Sequence, residues 1–488
     1  VDDLHAYIHR IGLHDADAVL ALASGEQVRE LLDTDGWTRD ELVVERLDPW
    51  LAALMRAGPE ILTERMLDLD DPLINWLVRQ SVEVTVIDEP DDFEPPEAEH
   101  VRTPDGRLCI AFPHGAERDL PLKVFLDTLM RENAELCLSL LVHSAAALDS
   151  VLAEDAYRWR SGRMADRGYV DYYSALAIYT PPRPDQVRDA RQALPKTDQG
   201  LRSERWLVPI FAPADRLANA FTALDASRID VVQGALGYVA NMALSADRVE
   251  LWDEDAQRET LDRLRAGLVL GLETLVGPPD TKRDAEALAQ TALSIIFRVG
   301  YGRMLEAAAP LRPALRDRLL AGPDGPVDAV DLLDLRPWAE ALSARHPRRP
   351  DGQPLDSAEV LDEARHQAAL LAELGRVAGR DRPLEVGVGT WLITWLARDL
   401  IGLDGPGALP AGQVERAHRA LFADGALRDE ARQAAAAFWG RIGGQNPFAL
   451  AALLADAEDQ MAAVDGTALE PRFLPRLHIA VPPADEAR

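Results

Sequence analysis

The chain has 488 residues, of which 82 are acidic and 52 are basic, so its net charge is −30 at pH 7. Hydrophobic residues make up 47% of the chain, which is enough to build packed cores and excludes a disordered acidic chain. A surface this acidic repels phosphate groups. We therefore expect neither nucleic-acid binding nor docking to anionic membranes.

Cysteine usage and hydropathy narrow the class of protein further. Cys109 and Cys137 are the two cysteines, and they have neither the number for a disulfide framework nor zinc-ribbon spacing. Residues 231–246, the longest useful uncharged stretch, are too few and too polar to span a bilayer. No secretion signal is evident at the start of the chain. We expect a cytoplasmic protein with no membrane insertion and no cofactor.

Residues 1–80 contain frequent signals for helix starts. Capping-box spacing occurs at Ser24 and again at Thr38, each with a Gln or Glu three residues later. An acid followed by proline, which is typical of a first helical turn, occurs at Asp48 and at Asp71. These signals predict an array of short helices, similar to an α-solenoid.

The helical pattern breaks in residues 81–120. Val82, Val84 and Val86 alternate with polar residues, an acidic segment follows at 88–99, and residues 108–112 form an apolar run. Alternation and short apolar runs bounded by turn residues are typical of strands. We predict a small β-hairpin-like insertion near residues 81–115.

The rest of the chain has helical periodicity, so the predicted fold class is mainly α, a multi-helical array. We divide it into a helical segment at 121–200 and a C-terminal helical domain at 201–488. Proline and glycine clusters separate the predicted helices of that domain. These helices are at about 214–245, 253–276, 281–308, 357–378, 390–401 and 412–464.

Arginines and aromatic residues are concentrated in residues 157–173, in a chain with 6% aromatic residues. On a helix, Tyr157, Arg160 and Arg163 share one face, which can hold a carboxylate or phosphate beside an aromatic platform. The candidate residues for binding a ligand or partner are Tyr157, Arg158, Trp159, Arg160, Arg163, Tyr169 and Tyr173.

The same segment has a structural interpretation, which we favour. Glu154 and Arg158 have the spacing of a helical ion pair, and Asp166 is close enough in sequence to neutralise Arg163. The tyrosines then fill the joint between this helix and the next one. Both interpretations remain open at this stage.

Short motifs in the same region resemble a known family. They are Trp-Arg-Ser-Gly-Arg at 159–163, Gly-Tyr at 168–169, Tyr179, and two runs at 11–16 and 20–27. Together they resemble the bacterial family catalogued as domain of unknown function 6178. The resemblance covers residues 1–180 and, more diffusely, the remainder. It implies family membership but no activity, since no catalytic residues are established for that family.

Other candidate motifs are incomplete. His5 and His9 share a helical face, and Asp2, Asp3 and Asp15 are nearby oxygen donors, but the glutamate of a zinc-protease motif is absent. We therefore expect no specific metal site. Residues 387–390, Gly-Val-Gly-Thr, lack the lysine of a phosphate-binding loop, so we expect them to serve close helix packing.

Without a complete catalytic signature, our leading hypothesis is a non-enzymatic scaffold that binds a protein partner. Exposed tryptophans gathered on one surface, such as Trp37, Trp50 and Trp76, would favour it. A second hypothesis is an enzyme or sensor that holds a small anionic ligand through residues 158–163. A third is a structural subunit of a homo-oligomer.

Overall fold

The computed structural model describes residues 2–38, 40–87, 93–166, 169–190, 215–250, 252–423, 425–462 and 476–480. It confirms a mainly α fold with small β-sheets. Two compact units are present. Among the described residues, the first unit contains those up to Ala177 together with Gln233–Thr260, and the second contains Ile178 to Val232 and those from Leu261 onward.

The first unit combines short helices with two small sheets. Two of its strands form a minimal hairpin and three form the insertion. The elements are α1 (Asp2–Ile11), α2 (Asp17–Leu22), α3 (Gly25–Asp35), β1 (Trp37–Thr38), β2 (Glu41–Leu42), α4 (Val44–Ala57), α5 (Pro59–Leu67), α6 (Asp71–Ser81), β3 (Glu83–Val86), β4 (Glu99–Arg102), β5 (Leu108–Phe112), α7 (Ala116–Glu132), α8 (Ala134–Ala146), α9 (Asp149–Asp166) and α10 (Tyr172–Ala175).

The later helices belong to the second unit, apart from two whose residues are divided between the units. The divided helices are α13 and α14. The elements are α11 (Pro184–Ala190), α12 (Arg216–Thr222), α13 (Ala226–Asp247), α14 (Glu254–Val276), α15 (Thr281–Gln290), α16 (Leu293–Ala308), α17 (Arg312–Arg316), α18 (Arg336–Ser343), α19 (Ala358–Ala378), α20 (Val388–Leu400), α21 (Val414–Leu421), β6 (Phe422–Ala423), β7 (Ala426–Leu427), α22 (Asp429–Arg441) and α23 (Pro447–Ala462).

Helix starts in the N-terminal region follow the predicted signals in part. The capping box at Ser24 is confirmed, because its hydroxyl accepts from the Gln27 backbone N–H and the Gln27 side chain accepts from the Ser24 N–H. The box predicted at Thr38 is wrong: Thr38 pairs with Glu41 in the β1–β2 hairpin. The start predicted at Asp48 is also wrong, since α4 begins at Val44 and encloses Pro49.

The core of the first unit forms around α4. This helix contacts α2, α3, α5 and α7, and its residues Trp50, Leu51 and Leu54 are almost fully buried. Phe125 of α7 and Leu31 of α3 belong to the same core cluster. Apolar side chains at helical spacing therefore bind the short helices into one packed core.

The predicted β insertion is present, with one strand more than expected. β3 and β5 pair antiparallel, as the alternating and apolar runs indicate, and β4 pairs with the other edge of β5. The central strand β5 is buried along its length, whereas β3 and β4 are mostly exposed. β4, Glu-His-Val-Arg, lacks an apolar run, which explains why the sequence pattern did not predict it.

α8 and α9 pack against α6. Leu140 and Leu141 of α8 and Leu152 of α9 are buried.

In the described part of the chain no single helix has the length and apolar character needed to cross a membrane. Only α8 and α9 taken together reach that length and apolar character, and they are bent by 111° relative to each other.

Close backbone approach shapes the second unit. A Cβ on Gly300 of α16 would lie 1.9 Å from the carbonyl oxygen of Gly267 in α14, so no larger residue fits there without moving a helix. The single helix predicted at 412–464 is wrong. It is divided into α21, α22 and α23 by the β6–β7 hairpin and a loop, where Gly425 and Gly443 have φ of +80° and +87°.

The Gly-Val-Gly-Thr turn at 387–390 is occupied by a carboxylate from the same chain. Asp331 accepts hydrogen bonds from the backbone N–H groups of Gly389 and Thr390, at 2.6 and 3.0 Å, and from the Thr390 hydroxyl at 2.6 Å. A Cβ on Gly387 would lie 2.1 Å from that carboxylate. The glycines thus give the Asp331 carboxylate access to the first turn of α20, a side-chain cap rather than the predicted packing of one helix on another.

Candidate functional site

The arginine–aromatic segment predicted from the sequence is α9 and the turn after it. α9 contacts α6 and β2, and it buries Leu152 and Ala156. Tyr157, Arg160 and Arg163 lie on one face of the helix at intervals of three residues. The three arginines of α9, Arg158, Arg160 and Arg163, have different surroundings, and these decide what each can do.

Arg163 is a structural residue. Its Nε and Nη2 atoms donate to the two carboxylate oxygens of Asp33, at 2.7 and 2.9 Å, and its Nη1 donates to Asp70. The Asp33 side chain is 1% exposed. The neutralising partner predicted for Arg163, Asp166, is therefore wrong. The pairing instead joins α9 to α3 and to the residue that precedes α6.

Arg158 is an exposed residue with local partners. It donates to Glu154 at 2.6 Å, the predicted helical pair, and to Asp155 at 3.3 Å. Trp159 and Tyr173, two further candidates, have 59% and 53% of their surface exposed. None of these three side chains lines the cavity described below.

Arg160 is different from its neighbours. Its Nε donates to the backbone carbonyl of Asp33 at 2.7 Å, and its guanidinium lies 5.0 Å from the centre of the Trp37 ring. Within the described chain, no carboxylate lies within ion-pair distance of this guanidinium. Burial lowers the pKa of Arg160, because removing the charged group from water is only partly offset by Asp33.

Arg160 faces a cavity of about 390 Å³ inside the first unit. The aromatic side chains Trp37, Tyr157, Tyr169 and Tyr172 line it. Two of the predicted candidates, Tyr157 and Tyr169, are therefore in the same cavity as Arg160. The volume falls in the range typical of sites for small ligands.

Asp171 fixes the position of Tyr157. The Tyr157 hydroxyl donates to Asp171 at 3.0 Å, and the other carboxylate oxygen of Asp171 caps α10 by accepting from the Ser174 N–H. Burial, with the nearby Asp171 charge, raises the pKa of Tyr157. Tyr157 is thus a neutral donor at physiological pH, with its orientation set by the chain itself.

Two further arginines line the cavity, and no sequence pattern predicts either of them. Arg248 follows the last residue of α13 with a φ of +55°. Its Nη2 donates to the Tyr172 hydroxyl at 2.9 Å, with the guanidinium 4.5 Å from that ring. Arg46 donates to the carbonyl of Asp35 at 2.5 Å and approaches Glu250 at 3.5 Å. No motif in the sequence links these residues to α9.

Elsewhere in the first unit, His5 and His9 are brought together with Asp35. Each Nε2 atom lies within hydrogen-bond distance of one carboxylate oxygen, at 2.6 and 2.7 Å. Among the described residues the donor group consists of these three side chains, so Asp3 and Asp15 do not belong to it. The side chain of Asp2 lies outside the described residues.

The tryptophans that would favour a partner-binding surface do not form one. Trp37, Trp50 and Trp76 have 5%, 1% and 7% of their surface exposed. Trp37 is in the cavity wall and Trp50 is in the core, where its Nε1 donates to Asp35 at 3.1 Å.

A family model matches nearly the whole chain. The model describes a family of unknown function, DUF6178, and the match covers residues 1–480. No curated protein and no solved structure matches the chain. The match covers both compact units, and neither the family description nor a relative assigns a role to any residue.

Proposed function

The chain belongs to the DUF6178 family of unknown function, and we propose that it binds a small organic anion in the cavity of its first unit. The observation that carries the proposal is Arg160, a largely desolvated cation without a carboxylate partner in the described chain. A charge that is removed from water and only partly compensated by nearby acids is costly. A ligand carboxylate or phosphate would remove that cost.

The local charge of the cavity supports an anionic ligand. Among the described residues that line it, the charged ones are Arg46, Arg160, Arg248, Asp171 and Glu250. These three guanidiniums and two carboxylates sum to one positive charge, in a chain with a net charge of −30. The cavity is a local reversal of the overall field, which suits a ligand with one net negative charge.

The cavity walls favour a ligand with a flat body. Trp37 and Tyr172 each lie under a guanidinium, at 5.0 and 4.5 Å, so the two cations are held by aromatic faces. Tyr157 and Tyr169 provide further aromatic surface. A planar ring that carries an acidic group would fit between these walls while its anion reaches Arg160 or Arg248.

The direct test is a thermal-shift screen with aromatic and heterocyclic carboxylates and phosphate monoesters. Hits from the native chain are then compared with Arg160→Ala and Arg248→Ala. We expect both variants to lose the ligand-induced shift, each because a cation is removed from the cavity. Arg158→Ala is the matched control, since Arg158 is two residues from Arg160 on α9 and is paired outside the cavity.

Two variants are needed because one of them can lose the ligand-induced shift by unfolding. Arg160 also donates a hydrogen bond to the Asp33 carbonyl, so Arg160→Ala can lower stability by itself. Arg248 is exposed, and its removal leaves the core intact. If Arg248→Ala and Arg160→Ala keep native ligand shifts, or if no anion in the screen stabilises the native chain, the proposal is wrong.

A cytoplasmic scaffold that binds a protein partner is the second candidate function. Large apolar side chains are exposed on α8, on the turn after it and on α9, and they support this candidate. They are Leu136, Val142, Leu148, Val151 and Trp159. A homo-oligomer is one form of this candidate, with a second copy as the partner. Affinity capture under mild crosslinking, with a mass measurement in solution, tests both forms.

A further inference from the structure

We propose that His5, His9 and Asp35 form a binding site for a divalent transition-metal ion, with Zn²⁺ as the best fit. Their donor atoms all lie within 4.8 Å of one another. Two imidazoles and one carboxylate are a common protein ligand set for zinc, with the remaining coordination positions taken by water. None of the three donors is among the residues that line the anion cavity, and the site does not depend on the proposed function.

The two helices bring the donors together in a fixed geometry. His5 and His9 are one turn apart on α1, with their ring centres 4.4 Å apart. Both Nε2 atoms point at Asp35, the last residue of α3. Tetrahedral zinc with bonds of about 2.0–2.1 Å needs N···O separations of about 3.3 Å. The observed separations, 2.6 Å to Oδ1 and 2.7 Å to Oδ2, are shorter than this by about 0.6 Å, so the donors move apart around a bound ion.

A second layer of contacts holds the ligands in place. The Trp50 indole N–H donates to Asp35 Oδ2 at 3.1 Å, and Arg46 donates to the Asp35 carbonyl at 2.5 Å. The His9 ring stacks on Trp252, with ring centres 5.3 Å apart and an interplanar angle of 17°. Contacts of this kind orient metal ligands and raise the affinity of a site.

The burial of the donors leaves one side of the group open. His5 is fully enclosed, whereas the His9 side chain is 23% exposed, so an ion and its water ligands can enter from the His9 side.

The experiment is a zinc titration of the chelator-treated full chain by calorimetry. The deciding variant is His9→Gln, whose amide can still donate to Asp35 but is a poor zinc ligand. The matched control is His14→Gln, the same substitution at an exposed histidine outside the group. We expect one Zn²⁺ per native chain, with native affinity in His14→Gln. In His9→Gln we expect a loss greater than the ~10–100-fold cost of losing a second-shell partner.

Cobalt provides an independent readout. Co²⁺ bound by these three residues gives visible bands without the near-ultraviolet charge-transfer band of a thiolate ligand, which separates the site from Cys109 and Cys137. Equal zinc affinity in the native chain and in His9→Gln overturns the proposal, as does a native chain without stoichiometric binding. A thiolate band in the cobalt spectrum also overturns it. Circular dichroism verifies that each variant is folded.

Discussion

Removing Arg163 should destabilise the first unit strongly, even though Arg163 is on the same helix face as the ligand-facing Arg160. Its substitution by alanine leaves the Asp33 carboxylate, 1% exposed, without its bidentate partner, and removes one partner of Asp70 at 12% exposure. Breaking a buried ion pair from one side costs about 3–5 kcal/mol, because the remaining charge stays desolvated. For a unit of this size we expect the melting temperature to fall by roughly 6–20 °C.

The assay is thermal unfolding by calorimetry, with hydrogen exchange and mass spectrometry to localise the effect to α3 and α9. Arg158→Ala is the control, because its exposed pairs with Glu154 and Asp155 are worth less than about 1 kcal/mol. If the two variants unfold at the same temperature, or if exchange in α3 is unchanged in Arg163→Ala, the structural assignment of Arg163 is refuted.

Three further predictions concern packing, reactivity and backbone strain. Gly300→Ala should destabilise the second unit by at least about 1–3 kcal/mol in thermal unfolding, because its Cβ would meet the Gly267 carbonyl. The control is Gly162→Ala, which should be neutral or stabilising because a Cβ there meets nothing within 4 Å. Burial raises the pKa of Cys137 to about 11, so at pH 8 its thiol is protonated and should react with Ellman's reagent only after unfolding. Arg248→Gly should be more stable than Arg248→Ala by up to ~1 kcal/mol, since φ is +55° there, and both variants should abolish the ligand-induced thermal shift.

Local sequence signals predict local structure well in this chain. The Ser24 capping box and the β3–β5 pair each depend on residues within a few positions or on one clear alternation. Thr38 shows where such signals fail: its spacing to Glu41 satisfies a capping box, yet the pair closes a two-residue hairpin. The same local pattern supports both structures, and the packing of Trp37 and Leu42 into the core decides between them.

The candidate site was only partly predictable, for a physical reason. Helical spacing places Arg160 and Arg163 on one face, but it cannot tell which guanidinium will meet an acid. The position of Asp33 determines which guanidinium forms the ion pair, and Asp33 is 130 residues from Arg163 in the chain. Arg248 and Asp35 were missed for the same reason, because each reaches its group through tertiary packing. Sequence periodicity predicts the face of a helix but not the partner opposite it.

The overall charge of −30 and the local charge of the cavity lead to different salt dependences for the two candidate functions. A basic protein partner attracted by the acidic surface should bind much more weakly as salt increases, since exposed charges are screened over about 8 Å at physiological ionic strength. An anion bound at the partly buried Arg160 is repelled only by the acidic residues of the surface, which are far from it. Its attraction to Arg160 acts at short range, where salt screens it poorly. Its affinity should therefore change little between low and high salt. Titration of an anion hit over that range, beside any captured partner, distinguishes the cavity from the surface as the functional site.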